Sequence, residues 1–96
     1  LVRSIQDARR QLANEKKCME HARAERYAAA IAEADEAIAD YPQATRVRYC
    51  KLNVLVRQQA GNDAVLAIAN EILAIDPNSR AALAIAADAE QAKGNV

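Results

Sequence analysis

An all-α fold, with antiparallel helix-turn-helix units stacked as a short α-solenoid, follows from three observations. First, residues 30–42 (AIAEADEAIADYP) and 65–77 (VLAIANEILAIDP) share one pattern and close on prolines 35 residues apart. Second, Gly61 and Gly94 lie 33 residues apart. A recurrence near 34 residues marks helical units that cannot bury their apolar faces alone and pile up in one direction. Third, apolar residues recur at three, four or seven positions and 24 of the 96 residues are alanine, the strongest helix former.

The elements follow in order. Val2, Ile5, Ala8, Leu12, Met19 and Ala22 predict a first helix over 4–24, longer than one repeat requires. A second helix over 26–40 ends at Tyr41-Pro42, because proline disfavours helical geometry in the residue before it. Thr45 is the expected N-cap of a third helix to Gln59, followed by the turn Ala60-Gly61-Asn62. Asn62 or Asp63 is expected to cap a fourth helix to Ile75. Asp76-Pro77 breaks it, and Ser79 caps a fifth helix over 80–93, ended by Gly94.

One domain fits this length. Hydrophobic residues make up 52% of the chain, but with so many alanines and only three aromatics each buries little area. What alanine does allow is close helix approach, and Ala34 and Ala69 are the expected points of closest contact. No run of eighteen apolar residues offers a membrane span. The start Leu1-Val2-Arg3-Ser4 has no initiator Met, so the chain reads as a piece of a longer protein, and the lack of a targeting segment leaves its compartment open. The alanine richness suggests a GC-rich bacterial source.

Counted back from Pro77, Tyr49, Leu52, Asn53 and Val56 stand where the tetratricopeptide repeat has Trp, Leu, Gly and Tyr, and Val65, Ala69 and Ile72 take the small or aromatic positions of the second helix. Counted back from Pro42, Tyr27, Ala30, Ala34 and Ala37 match in the same way, whereas Asn14, Lys17, Cys18 and His21 do not match the first helix. The chain resembles that family over about 11–96. The resemblance implies an N-terminal helical extension (1–10), repeat 1 (11–44), repeat 2 (45–79) and the first helix of a truncated repeat 3 (80–96), about two and a half repeats in all. Counting forward from Pro42 gives the third helix a different register. The backward count is adopted because it sets Tyr49, Leu52 and Val56 on one face.

Charge alternates along the chain beneath a formal net charge of zero. Residues 1–26 carry seven bases and four acids, 27–45 four acids and no base, 46–59 four bases and no acid, 60–79 three acids and no base. One reading is that neighbouring helices of opposite sign attract each other within a Debye length of about 8–10 Å. The other starts from the resemblance, which implies that first helices line a concave groove, here basic. That groove would be lined by Leu12, Glu15, Met19, Ala22 and Arg23, by Val47, Cys50, Val54, Arg57 and Gln58, and by Ala81, Ala84, Asp88, Gln91 and Ala92. It would hold a peptide or helix, acidic by preference, and catalyse nothing.

Cys18, His21 and Cys50 are too few soft ligands for a metal site, and no pair has Cys-x-x-Cys spacing. The expected state of both cysteines is a buried, reduced thiol. No glycine-rich phosphate loop exists and no cofactor is implied. The alternative function is a self-assembly module, in which the long first helix or the unpaired fifth helix, with its exposed side of Leu83 and Ile85, docks on a copy of itself or on the rest of the parent chain. An RNA-reading helical repeat of similar period is disfavoured by net neutrality and the acidic second helices.

Overall fold

The computed structural model describes the backbone of residues 2–94 and the side chains of residues 5–94. It is all-helical: α1 (Val2–Arg23), α2 (Tyr27–Asp40), α3 (Arg46–Arg57), α4 (Asn62–Ile75) and α5 (Arg80–Gly94). Each boundary falls within two residues of its expected place among the described residues. The helices pack as α1 with α2 and α3, α2 with α3, α3 with α4, and α4 with α5.

Cross-helix contacts give the directions. The Tyr41 hydroxyl donates to Asp7 Oδ1 (3.3 Å), joining the end of α2 to the start of α1, and Lys51 meets Asp35 (2.6 Å) between α3 and α2. Arg48 meets Glu71 (3.1 Å) between α3 and α4, and Lys93 meets Asp63 (2.6 Å) between α5 and α4. Successive helices are therefore antiparallel. Between α1 and α3, Glu15 faces Arg46 and Cys18 faces Cys50, so these two run parallel. Lys93 titrates above the usual lysine value because it donates to Asp63 and is drawn by that carboxylate, with Glu90 adding to the effect.

The connections themselves repeat. After α1, Glu25 takes φ 61°, its N–H donates to the Ala22 carbonyl (3.0 Å), and the Arg26 N–H donates to that of His21 (2.8 Å). After α3, Gln59 takes φ 55°, with its N–H on Val56 (3.2 Å) and that of Ala60 on Leu55 (3.1 Å). Both are Schellman closures, and they lie 34 residues apart. After α2, Tyr41 donates to Ala37 and Ala44 to Tyr41, just as after α4 Asp76 donates to Ile72 and Ser79 to Asp76, 35 residues on.

Capping departs from expectation at two starts. Gly61, with φ 104°, precedes α4, so Asn62 and Asp63 are already helical, and the Thr45 side chain makes no cap hydrogen bond. Ser79 does cap α5, its Oγ accepting from the Ala82 N–H (3.2 Å) while also bonding the Tyr49 hydroxyl.

The core has two lobes that share α3. Cys18, Ala22, Ala30, Ala34, Ala37, Val47, Cys50 and Val54 form the first between α1, α2 and α3, and Leu52, Leu55, Val65, Ile68, Ala69, Ile72, Ala82 and Ala86 the second between α3, α4 and α5. Ala34 and Ala69 are both fully buried, one at the centre of each lobe. The molecule is elongated, 50 × 30 × 18 Å, and its radius of gyration of 13.8 Å exceeds the roughly 12.5 Å of a compact chain this long.

Cys18 and Cys50 form a disulfide. This overturns the expectation of two reduced thiols. Parallel α1 and α3 bring the two Cα atoms to 6.4 Å, inside the span of about 4.4–6.8 Å that a disulfide bridges. Spacing along the chain carries no sign of that approach, because it arises from packing between units.

Candidate functional site

Parallel α1 and α3 leave a groove between them, a hollow of about 290 Å³ lined by Glu15, Met19, Ala22, Arg23, Arg46, Tyr49, Cys50, Asn53 and Arg57. A shallower hollow beside Ala8, Gln11, Leu12 and Arg46 continues it toward the start of α1. On α1 positions 5, 8, 12, 15 and 19 step by three or four, and 22 and 23 follow at three and four from 19, so they form one stripe about 27 Å long, of which all but Ile5 line the two hollows. Ile5, Leu12 and Met19 on that stripe are 56%, 50% and 42% exposed. This exposed apolar row lies on a helix that also contributes Cys18 and Ala22 to the core.

Charge in the groove is positive and partly unspent. Glu15 engages Arg46 across it (3.6 Å). Arg23 and Arg57 close the last turns of α1 and α3, and neither has an ion-pair partner among the described residues. The other two bases of α3 are directed away: Arg48 to Glu71 of α4 and Lys51 to Asp35 of α2. Attraction between neighbouring helices thus accounts for part of the charge alternation, and the groove keeps the remainder.

The expected site residues divide. Met19, Arg23 and Arg57 line the groove, and Leu12 the hollow that continues it. Val47 and Val54 do not, being 1% and 0% exposed in the core lobe beneath it. The groove face of α3 is Arg46, Tyr49, Asn53 and Arg57, one residue off the assumed register at the first three places. Cys50 reaches the groove floor, but as half of a disulfide. Gln58 is the exposed C-cap of α3, outside the lining.

α5 does not extend this groove. No Cα of α3 comes within 8 Å of one in α5 among the described residues, so Ala84 is exposed on α5 away from it. Asp88 lines a separate hollow of about 420 Å³ between the end of α3, the start of α4 and α5, with Leu55, Val56, Val65 and Ile85. Val56, expected on one face with Tyr49 and Leu52, is 48% exposed there, whereas Leu52 and Leu55 are buried.

Sequence reasoning missed Arg46, Tyr49 and Asn53. Their signal was present: polar or amphipathic residues at spacings of three and four, beside valines that the hydrophobic period alone assigns to the core. No family model, characterised protein or solved structure matches the chain.

Proposed function

We propose that the chain is a non-catalytic protein-interaction module of tetratricopeptide-like design, which holds an acidic amphipathic helix or peptide in the groove between α1 and α3. The observation that carries this reading is the exposed stripe of Ile5, Leu12 and Met19 ending at Arg23 and Arg57, which have no ion-pair partner among the described residues. An apolar row repeating every seven residues accepts a second helix by the same periodicity, and the exposed cations at one end orient a partner that carries carboxylates there. The 34- and 35-residue recurrence of the helix connections supports the repeat design.

Selection from a displayed library of 20-residue amphipathic helices, randomised at their polar positions, tests it. The expected winners are enriched in Asp and Glu toward one end and lose affinity as salt is raised. Arg23→Glu with Arg57→Glu should weaken the best binder at least about tenfold, whereas Glu36→Lys with Asp40→Lys on the outer face of α2 should leave it unchanged. If the α2 pair abolishes binding and the arginine pair does not, the functional face is the convex one.

The hollow at Val56 and Ile85, together with Leu83 at 49% exposure on α5, favours a second reading, self-association through α5. Molar mass by light scattering separates the two: a monomer at tens of micromolar excludes it as the main role.

A further inference from the structure

We infer that Cys50 is a thiol-exchange site for anionic thiols of the glutathione type, the point at which the Cys18–Cys50 disulfide is opened and a mixed disulfide is held. Two independent observations carry this. The two cysteines differ in access: Cys50, 8% exposed, lines the groove floor, while Cys18 is 0% exposed in the core lobe behind it. The approach is also charged: Arg23, Arg46 and Arg57 line the same groove against a single carboxylate, Glu15.

Exchange requires an incoming thiolate to reach one sulfur, and access decides which. Here the thiolate forms a new S–S bond to Cys50 Sγ. The Cys18–Cys50 bond breaks with its electron pair on Cys18 Sγ, which takes a proton from solvent. One disulfide is consumed and one is made, so the step needs no oxidant or reductant beyond the thiol itself. The adduct's carboxylates meanwhile lie beside Arg23 and Arg57, where a cationic thiol would be repelled. The inference goes beyond partner binding and holds whether or not a protein ever occupies the groove.

The test uses the full chain, oxidised with a diamide-type oxidant and checked by intact mass. It is exposed separately to glutathione, to uncharged 2-mercaptoethanol and to cationic cysteamine at equal thiolate concentration in low salt. Acid quenching and peptide mapping then locate the adduct. The expected result is an adduct on Cys50, formed about tenfold faster by glutathione than by cysteamine, with the ratio collapsing in 0.5 M salt and in Arg23→Gln with Arg57→Gln. Far-UV circular dichroism confirms that the variant is folded, and the salt series on the unaltered chain stands without it. An adduct on Cys18, equal rates for the three thiols at low salt, or two free thiols after oxidation would each overturn the inference.

Discussion

Arg48 is the charge on which the central helix depends. It is 6% exposed, and its guanidinium donates to Glu71 Oε1 at 3.1 Å and to the Ala44 carbonyl at 2.7 Å, so one side chain ties α3 to α4 and to the connection before it. A buried cation keeps its charge only while such acceptors replace water. Arg48→Ala removes both and is expected to cost about 1.5–3 kcal/mol, the range for hydrogen bonds to charged groups. Glu71 is half exposed, so Glu71→Gln should cost less. Equal losses in thermal unfolding would mean that the ion pair, and not the buried guanidinium, is what matters. The sign of the α3 charges was legible in the sequence; their directions were not, because a run of four bases says nothing of which neighbour each one faces.

At the scale of elements, helix ends were readable wherever a residue type forces the backbone, as at Pro42, Pro77 and Ser79. Register was not readable in α3. That helix buries Val47, Cys50 and Val54 on one side and Leu52 and Leu55 on another, so it has no single apolar face for periodicity to find. Nor did the turn chemistry show, since both Schellman closures place residues other than glycine, Glu25 and Gln59, at positive φ. An L-residue there costs roughly 1–2 kcal/mol, of which the extra chain entropy of glycine offsets part. Glu25→Gly and Gln59→Gly are therefore expected to raise stability by about 0.5–1 kcal/mol each, a few degrees in melting temperature for a chain this short. Gly61→Ala should do the reverse. A Cβ there meets nothing within 4 Å, so its cost, about 1–3 kcal/mol, comes from the backbone at φ 104° and ψ 156° alone. Melting curves in which Gln59→Gly destabilises would contradict the closure described for α3.

Across the whole molecule the two lobes meet through α3 and through Ile31 of α2, which packs on both, and the disulfide closes just one of them. Cys18 and Cys50 both belong to the lobe of α1, α2 and α3, where the link encloses a loop with a sequence separation of 32 residues. Loop-closure entropy gives that link about 3–4 kcal/mol, acting on the unfolded chain. In the other lobe the close backbone approach of α5 is to α4, aided by the Lys93–Asp63 pair and the Ser79 cap. A stacked chain coupled through nearest neighbours should open from such an end. Hydrogen exchange is thus expected to show α5 amides as the least protected of the helices in the oxidised protein. Reduction should then lower protection sharply in α1 and α2 while changing α5 little, because the free energy of its local opening does not include the disulfide. If α5 loses as much protection as α2 on reduction, the two lobes unfold as one unit, and α3 couples them more strongly than its shared packing suggests.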